Sequence, residues 1–567
     1  MISIAPGPEG ARSIPMIVEL IRLFNTVRYL KPIQIYGRLL FHLRHPKPDL
    51  RPAPAIRSYP GLWLAPAAKP PSMLLPSRFR FLNEGHQIAD ADAWNNPAWE
   101  KLWLYNLHYF DDLNASEARE RHQWHVALID RWIKENTPAV GNGWESYPLS
   151  LRIVNWIKWI LAGNEAAEGM IHSLAVQARF LRKRLEVHLL GNHLLANAKA
   201  LIFSGLFFDG PEAQVWLNKG LQLVAREVPE QILPDGGHFE RSPMYHSIIL
   251  EDILDLLNLS RTYGEAALPS AYRDLPGLLQ ETIQRMRFWL KVMCHPDGEI
   301  ALFNDAAFGI APSPAQLEAY TVQLGLPKVA DIQDGITHLA ASGYVRLSRG
   351  DAVAILDVGK IGPDYLPGHA HADNLTFELS LFGQRAIVNS GTSCYEAGPI
   401  RMHQRSTAAH NTVEVNGQNS SQIWGCFRVA RRARPFDLTM ADEGDRGLVV
   451  SCAHDGYRRL LSRVIHRRTW RLQADRLEIE DRIEGKAIQA VARFYWHPDI
   501  ASTATFEDNV KSISLRLNQR QITWSTSGPH GDLEPSTYHP EFGRSLRNSV
   551  TIAPLNPAGT IYSIVWR

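Results

Sequence analysis

The chain has few cysteines and no long apolar run. Only four of its 567 residues are cysteine, and none of them forms a CxxC pair or a zinc-finger spacing. Free thiols therefore explain the cysteines at least as well as a disulfide framework does. The most apolar early segment, residues 14–24, is interrupted by Glu19 and Arg22 and is shorter than the ~18 apolar residues of a membrane span. We therefore expect no transmembrane segment.

An excess of charge of either sign is also missing. The 60 Lys and Arg residues nearly balance the 58 Asp and Glu residues, which gives a net charge of +2. This balance argues against a nucleic-acid partner, because such proteins neutralise phosphates with a basic surface. The N-terminus lacks a basic segment followed by an apolar core. We expect a cytoplasmic location, with a periplasmic or secreted one as the alternative.

Length and periodicity predict several domains. A chain of 567 residues exceeds the ~250–300 residues at which a single core stops growing. Apolar residues recur with a helical period between residues 100 and 330, and with a period of two after residue 340. The pattern predicts an α+β multidomain fold in which stacked helical hairpins precede antiparallel β-sheets. The predicted division is an N-terminal helix (residues 14–45) and proline-rich connector at 1–76, a helical domain at 77–335 and a β-sandwich domain at 336–567.

Polar residues cluster in two segments of the helical half. The first, GNHLLAN, holds Asn192 and His193; the asparagine could equally cap the following helix, and the histidine could lie in the core. The second, DGGHFERSPMYH, holds Glu240, Arg241 and Tyr245 at the start of a predicted helix. A tyrosine there is normally a core or surface aromatic, and it exchanges a proton only where nearby cations lower its pKa from ~10.

Two further polar segments belong to the β half. In GHAHADN, His369 and His371 share one face of an extended stretch, a geometry that occurs in metal sites and also by chance on surfaces. His410, in RSTAAHNT, precedes another predicted strand, so it could converge with His371 on one metal ion. Tyr395 and Arg405 lie on the segment that leads from IVNSGT to His410.

Taken together, these segments resemble a known family. In the order GNHLLAN, DGGHFERSPMYH, GHAHADNLTFELSLFG, IVNSGT and RSTAAHNTVEVNG, they are similar to the heparinase II/III-like polysaccharide lyases over residues 100–435. The resemblance implies an N-terminal (α/α) toroid, a C-terminal antiparallel β-sandwich and a cleft between them. It also implies cleavage of uronate-containing polysaccharides by β-elimination to 4,5-unsaturated products. An acidic polysaccharide is the expected partner, and the oligomeric state stays open.

The resemblance implies roles for particular residues. Asn192, with His193 beside it, would neutralise the carboxylate of the substrate, and His369 would assist. Tyr245 would give a proton to the leaving glycosidic oxygen, and Tyr395 is a weaker match to a second tyrosine or a base. The residues expected to bind substrate around them are Trp144, Glu240, Arg241 and Arg405.

These residue types suit an elimination. The hydrogen at C5 of a uronate is weakly acidic, because the ionised carboxylate opposes further negative charge beside it. Amide and imidazolium donors aimed at that carboxylate stabilise the enolate-like transition state. Tyr245 could act as both base and acid if both proton transfers occur on one face of the sugar. On opposite faces His193 or His369 would be the base, and the sequence leaves this choice open.

A structural metal, zinc in the first instance, is also implied by the resemblance. Its ligands would be His371, Asn389 and His410. The family usually has an aspartate where this chain has Asn389, and a neutral amide is a much poorer zinc ligand than a carboxylate. The metal is therefore absent, weakly bound, or completed by a different group.

Two other classes of function stay open. One is a different enzyme on the same architecture, a glycoside hydrolase or a uronate C5-epimerase. A hydrolase needs two carboxylates across the scissile bond, for which the candidates are Glu240 with Asp373 or Glu145. The other is a non-catalytic glycan-binding protein of exopolysaccharide production, which the asparagine at position 389 favours.

Overall fold

The fold consists of a helical half followed by a β half. The computed structural model describes residues 16–485, 489–502, 511–556 and 558–567. The α-helices within these ranges are α1 (Met16–Val27), α2 (Pro32–Leu43), α3 (Lys101–Tyr109), α4 (His122–Glu135), α5 (Ser146–Leu161), α6 (Glu168–Lys183), α7 (Gly191–Phe207), α8 (Pro211–Gln231), α9 (Pro243–Tyr263), α10 (Leu275–Val292), α11 (Pro314–Gln323) and α12 (Pro399–Gln404). In the ranges just given, no helix has both the length and the apolar composition needed to cross a bilayer.

The strands fall mainly after residue 335. They are β1 (Met73–Leu75), β2 (Arg78–Phe81), β3 (Glu84–Gln87), β4 (Gly335–Leu339), β5 (Tyr344–Arg349), β6 (Ala352–Asp357), β7 (Phe377–Leu381), β8 (Gln384–Ile387), β9 (Val413–Val415), β10 (Ile423–Trp424), β11 (Arg428–Val429), β12 (Pro435–Asp442), β13 (Leu448–His454), β14 (Ile465–Leu472), β15 (Arg476–Glu484), β16 (Ala490–Trp496), β17 (Ile500–Ser502), β18 (Ser512–Leu517), β19 (Arg520–Thr526), β20 (Asp532–Tyr538), β21 (Leu546–Pro554) and β22 (Thr560–Trp566).

The single helix predicted at residues 14–45 is wrong. The described part of that segment forms two helices, α1 and α2, and Pro32 is the first residue of the second. Proline has no backbone N–H and clashes with the preceding turn, so it begins a helix readily but interrupts one that is already running. Residues 14 and 15 lie outside the described residues.

The helical half is an (α/α) toroid organised around α7. Every residue of α7 except His193 is buried, and α7 packs against α5, α6, α8 and α9. Its buried side chains are mostly apolar because it has neighbours on all sides. Its N-terminal end, where Asn192 and His193 lie, is therefore held firmly by the surrounding helices.

The β half is an antiparallel sandwich, as the period-two pattern predicts. One sheet has the order β12-β13-β14-β15-β22-β19-β18-β17, and the other has the order β20-β21-β16-β8-β7-β6-β5-β4, with β9 beside β16. Along β14 buried and half-buried residues alternate strictly, so every second side chain enters the layer between the sheets. Trp470, Trp496 and Trp524 are buried in that layer.

Two small sheets were not predicted. Strands β1, β2 and β3 form a small antiparallel sheet that begins within the last residues of the proline-rich connector, and β10 pairs with β11. The two halves of the chain also share packing, because Val388, Tyr538 and Phe542 of the β half belong to the core of the toroid. The predicted domain boundaries at residues 76 and 335 stay a prediction.

Candidate active site

The N-terminus of α7 carries the first group of the site. Leu190 and Gly191 have positive φ angles of 62° and 55°, and a Cβ at Gly191 would lie 2.8 Å from Oε1 of Glu240. The missing side chain lets the Glu240 carboxylate approach the helix end. There Nδ2 of Asn192 donates a hydrogen bond of 3.1 Å to Glu240 Oε1. Asn192 is therefore oriented by a side chain from the DGGHFERSPMYH segment.

The first turn of α9 carries the second group. Ser242 caps this helix by accepting a hydrogen bond from the Tyr245 backbone N–H, and its own hydroxyl donates to the Asp305 carbonyl at 2.6 Å. The cap fixes the direction in which Tyr245 leaves the helix. Its ring lies on the ring of His369, with centroids 3.9 Å apart. Its hydroxyl lies 3.1 Å from the hydroxyl of Tyr395.

The imidazole of His369 connects these groups. Its Nδ1 lies 2.9 Å from Oδ2 of Asp305, and its Nε2 lies 3.4 Å from Oε2 of Glu240. Glu240 in turn accepts the amide hydrogen of Asn192. Asn192, Glu240, His369, Tyr245 and Tyr395 therefore form one continuous set of contacts, although they come from four distant segments.

Asp305 is the residue of the site that the sequence did not reveal. Its carboxylate accepts hydrogen bonds from His369, from Nε2 of His371 at 2.8 Å and from the Arg401 guanidinium. Burial would raise the pKa of Asp305, but Arg401 and the two histidines outweigh burial and hold that pKa well below its usual value. Asp305 follows no recognisable motif; its only signal is a pair of polar residues, Asn304 and Asp305, inside an otherwise apolar stretch.

His193 occupies a half-exposed position beside the site. Its Nδ1 lies 3.1 Å from Oε1 of Glu186, and its ring packs on Tyr147 with centroids 4.5 Å apart. Burial lowers the pKa of His193, but the carboxylates of Glu186 and Glu240 prevail and raise it above the usual value. The ring therefore keeps a positive charge at higher pH than an ordinary histidine does.

The two tyrosines are neutral phenols at ordinary pH. Burial raises the pKa of Tyr245 well above 10, and the neighbouring Tyr395 adds to the shift. Burial also raises the pKa of Tyr395, helped by the negative charge of Asp305. A neutral phenol keeps a proton that it can donate, but a raised pKa makes it a weaker acid, so the lowering of the Tyr245 pKa by nearby cations that was expected is not found.

Three residues expected to bind substrate lie outside this contact set. Trp144 is only 5% exposed and packs on Trp132 and Phe180 in the toroid core. Arg405 is fully buried, and it donates to the carbonyl oxygens of Ala370 and Gly425. These two assignments are corrected, because the partners of both side chains lie outside the contact set around His369.

The third such residue is Arg241. Its guanidinium donates to the backbone carbonyl of Lys360, and its own carbonyl accepts from the hydroxyl of Tyr344. It thus joins the toroid to the β half, which is a structural task and corrects the expected substrate contact. Glu240, in contrast, lies within the site and is 3% exposed.

A second cluster lies behind Asp305. His371, Asp373 and His410 are fully or almost fully buried, and one ligand atom from each lies within 4.8 Å of the others. Among the described residues, Nδ1 of His371, Nε2 of His410 and both carboxylate oxygens of Asp373 have no side-chain hydrogen-bond partner. Unpaired buried polar atoms are costly and rare. One ligand atom from each of these three residues, at such short mutual distances, fits a divalent cation.

Hydrogen bonds set the tautomers of both histidines. Nε2 of His371 bonds the ionised Asp305, so this nitrogen carries the proton and Nδ1 has the free lone pair. Nδ1 of His410 lies 3.2 Å from the amide oxygen of Asn389, so Nε2 has the free lone pair. Burial lowers the pKa of His371 to about 4 and that of His410 well below its usual value, which keeps both rings neutral as metal ligands require.

The expected ligand Asn389 has a different position in this cluster. Its amide oxygen accepts hydrogen bonds from His410 and from the hydroxyl of Thr376 at 3.1 Å. This oxygen is already engaged by His410 and Thr376, so the geometry favours His371, Asp373 and His410 as the ligand set over the expected one. Burial raises the pKa of Asp373 to about 7. A nearby cation would lower that pKa and keep the carboxylate ionised.

Two family models match the chain. The heparinase II/III N-terminus matches residues 118–318, and the heparinase II/III-like C-terminal model matches residues 333–566. The two models together cover more than half of the chain. The first falls on the toroid and the second on the β-sandwich.

Curated relatives match different shares of the chain. A heparin-sulfate lyase of Bacteroides stercoris is 30% identical over 258 residues, which are 41% of this chain and 36% of that protein. A heparin-sulfate lyase of Pedobacter heparinus is 26% identical over 40% of this chain and 36% of that protein. FtsZ-localized protein C of Caulobacter vibrioides is 27% identical over 482 residues, 78% of this chain and 77% of that protein. The chain thus spans about a third of the length of the two lyases.

Solved structures share the architecture. A crystal structure of heparinase III superposes with a TM-score of 0.66 at 18% identity and covers 97% of this chain and 92% of that one. A heparan sulfate lyase of Pedobacter heparinus superposes with a TM-score of 0.55 at 16% identity. The match covers 94% of this chain and 87% of that one. The predicted fold, a toroid followed by an antiparallel sandwich, is confirmed.

Proposed function

The chain belongs to the heparinase II/III-like family, and on this premise we propose that it is a polysaccharide lyase that cleaves a uronate-containing acidic polysaccharide by β-elimination. One observation carries the proposal, namely the contact set around His369. Its ring stacks on Tyr245 at 3.9 Å and contacts Glu240, which binds Asn192. An amide, an imidazole and a phenol are the groups that the reaction needs, and they are joined here by direct contacts.

The substrate carboxylate would be held by Asn192 and His193. The amide nitrogen of Asn192 has two hydrogens, of which one binds Glu240, so the other is available to the substrate. His193 is about one-third exposed and has a raised pKa, so its positive charge persists to higher pH than that of an ordinary histidine. Both groups stabilise the charge that develops when the C5 proton leaves.

His369 and Tyr245 would carry the two proton transfers. The ionised Asp305 holds the proton on Nδ1 of His369. Nε2 would accept the C5 proton once bound substrate has displaced it from Glu240, which it contacts at 3.4 Å. The neutral phenol of Tyr245 would give its proton to the leaving glycosidic oxygen as the C–O bond breaks. The electron pair of the C5–H bond becomes the new C4–C5 double bond. Tyr395 would align the Tyr245 hydroxyl through their shared hydrogen bond.

A hydrolase is less consistent with the positions of the carboxylates. Asp373 is fully buried behind Asp305, and Glu145 bonds Lys101 and the hydroxyl of Tyr105. Neither side chain forms with Glu240 a pair that flanks a glycosidic bond, as hydrolysis requires. Elimination needs no such pair.

The proposal is tested by assaying a panel of polysaccharides for the ultraviolet absorbance of the new conjugated double bond. The panel contains heparan sulfate, hyaluronan, alginate and bacterial exopolysaccharides. We expect one class to give a rising absorbance, and Tyr245→Phe to reduce the rate by about 10²–10⁴-fold through loss of general acid catalysis. Tyr59→Phe, at an exposed tyrosine, is the matched control and should retain the rate. No absorbance with any uronate polysaccharide would contradict the proposal.

We also propose that His371, Asp373 and His410 bind one divalent metal, with zinc the best fit for two imidazoles and a carboxylate. The unpaired, buried ligand atoms support it. When bound, the ion supplies positive charge and crosslinks the residues of the β half next to Asp305. Metal analysis of the purified protein should give about one ion per chain.

The Asp373→Asn variant distinguishes the proposed ligand set, which includes Asp373, from the expected set, which has Asn389 in its place. We expect it to lose the ion and to melt at the temperature of the chelator-treated parent. Asn389→Ala should weaken the ion's binding by about 10–100-fold, as a group that orients a ligand does. A parent without metal, or an Asp373→Asn variant that retains the ion, would contradict the assignment.

A second candidate is a binding protein without catalytic activity. The Caulobacter vibrioides relative that aligns with most of the chain is named for FtsZ localisation and not for a lyase activity. A protein of this kind would retain an acidic polysaccharide on a column without forming the double bond. The same panel therefore distinguishes the two candidates.

A further inference from the structure

The N-terminal helices α1 and α2 expose their apolar side chains. Thirteen large apolar residues on these two helices are exposed, among the 29 found over the described residues. They are Met16, Ile17, Val18, Leu20, Ile21, Leu23, Phe24, Val27, Ile35, Tyr36, Leu39, Leu40 and Leu43. Isolated exposed apolar residues are ordinary, but a contiguous group of this size on a protein surface marks a binding surface.

The polar side of α1 faces the protein. The indole N–H of Trp424 donates to the hydroxyl of Thr26 at 3.0 Å, Arg432 donates to the carbonyl of Asn25, and Arg22 lies on the Trp424 ring. An ordinary surface helix buries its apolar stripe and exposes its polar one. In α1 this arrangement is reversed, so its apolar side has no cover among the described residues.

Helix α2 is held against the toroid in the same manner. Gln34 donates to the carbonyl of Tyr365, the ring of Phe41 packs on His188, and Arg184 donates to the carbonyl of Phe41. Gly37 lies against His188 as well. The hairpin of α1 and α2 is therefore fixed to both halves of the protein, and its outer face is presented in a defined orientation.

The charge of this segment differs from that of the whole chain. Residues 16–47 contain six Lys and Arg residues and a single acidic residue, Glu19, whereas the complete chain has a net charge of only +2. Arg28, Arg38, Arg44 and Lys47 are exposed. An apolar face bordered by basic residues is complementary to an anionic lipid surface, in which acyl chains lie beneath negative headgroups.

We propose that the α1–α2 hairpin docks the protein on an anionic membrane surface, with both helices lying in the plane of the headgroups. Each helix has 12 residues, too few to span a bilayer but enough to place an apolar face in its outer layer. A second copy of the chain is a poorer occupant, because it would bring an equally basic face against this one. This surface is separate from the proposed catalytic site.

Vesicle flotation of the full chain tests the proposal. Vesicles of phosphatidylcholine with phosphatidylglycerol should carry the protein upward, and vesicles of phosphatidylcholine alone should carry much less. The variant Ile17→Gln, Leu20→Gln, Phe24→Gln, Leu39→Gln should lose at least about tenfold in binding, because its apolar contact with the acyl region is removed. Arg28→Gln, Arg38→Gln and Arg44→Gln should each cost up to about fivefold, on anionic vesicles only.

A matched control uses exposed apolar residues elsewhere. The variant Val140→Gln, Val322→Gln, Leu461→Gln changes side chains of comparable exposure outside the hairpin and should bind vesicles like the parent. Thermal melting checks that each variant is folded. The proposal is overturned if the parent does not float, or if the hairpin variant floats as well as the control. It is also overturned if light scattering finds a dimer that the hairpin variant dissociates, because a second copy then covers this face.

Discussion

At the scale of the residue, the carboxylate of Asp305 positions the groups around it. One buried carboxylate bonds His369 of the catalytic set, His371 of the metal cluster and the Arg401 guanidinium. It touches no substrate in the proposed mechanism and acts by positioning His369. The two clusters are therefore coupled through a single side chain.

We expect Asp305→Asn to lower both the free energy of unfolding and the rate of elimination. The variant leaves the Arg401 charge buried without its partner, which should lower the free energy of unfolding by about 3–5 kcal/mol. It also removes the acceptor that holds His369, so the elimination rate should fall by about 10–100-fold in the fraction that stays folded. Urea unfolding and the absorbance assay measure the two effects.

Asp364→Asn is the matched control for this substitution. Asp364 also pairs with arginines, but its side chain is 44% exposed, and such pairs contribute ~0–1 kcal/mol. It should change neither measurement appreciably. Equal effects of the two substitutions would show that Asp305 has no special role.

The site residues that could be predicted are those whose side-chain type and position in a polar motif both indicate a function. Asn192, Tyr245 and His369 lie in dense polar motifs at the ends of elements, and the structure brings them into contact. Asp305 and Asp373 were not identified in these roles, because the importance of a buried carboxylate depends on partners far along the chain. Trp144 illustrates the opposite error, since an aromatic residue in a polar loop can still belong to the core.

At the scale of the element, the start of α7 decides the geometry of the site. Gly191 has a φ of 55°, and a Cβ there would lie 2.5 Å from Leu366 and 2.8 Å from Glu240. A methyl group would therefore displace the carboxylate that orients Asn192. The conformation and the close approach both require glycine at this position.

We expect Gly191→Ala to reduce activity more than stability. Its backbone strain should cost about 1–3 kcal/mol, and the displaced Glu240 should lower the rate of elimination several-fold. Gly163→Ala is the control, because Gly163 has a φ of 91° with open space around it. It should lose stability without losing rate in the absorbance assay. A Gly191→Ala enzyme with the parent rate would contradict the account of Asn192.

Secondary structure was predictable to the extent that it follows local pattern. The helical period predicted between residues 100 and 330 corresponds to helices α3–α11, and the period of two predicted after residue 340 corresponds to strands β5–β22. The β1–β3 sheet was missed because its strands are only three or four residues long and show no sustained alternation. A single helix was predicted at residues 14–45 because the apolar pattern continues across Pro32. In the structure Pro32 begins a second helix.

At the scale of the whole molecule, buried charges make stability depend on pH. In the sandwich core Asp481 accepts hydrogen bonds from Arg468 and His466. Burial would raise the pKa of Asp481, but Arg468 and His466 lower it to about 2. The folded pKa lies below the unfolded value of ~3.9, so this stabilisation is complete above pH ~4 and is lost as the pH falls towards 2.

We therefore expect a contribution of about 2–3 kcal/mol from this carboxylate that disappears between pH ~4 and ~2. Urea unfolding at a series of pH values should show a steep loss of the free energy of unfolding in this window. Asp481→Asn should be less stable at neutral pH and should lose less in the window. Parallel pH curves for parent and variant would contradict the assignment.

The central claim, that the Tyr245 and His369 site eliminates across the C4–C5 bond, is tested most directly by carrying out the cleavage in water labelled with heavy oxygen. Elimination adds no oxygen from the solvent, so mass spectrometry should find unlabelled fragments with a new double bond in one of them, and Tyr245→Phe should form neither. Fragments that carry the heavy oxygen from the first minutes and contain no new double bond would identify a hydrolase and contradict the account.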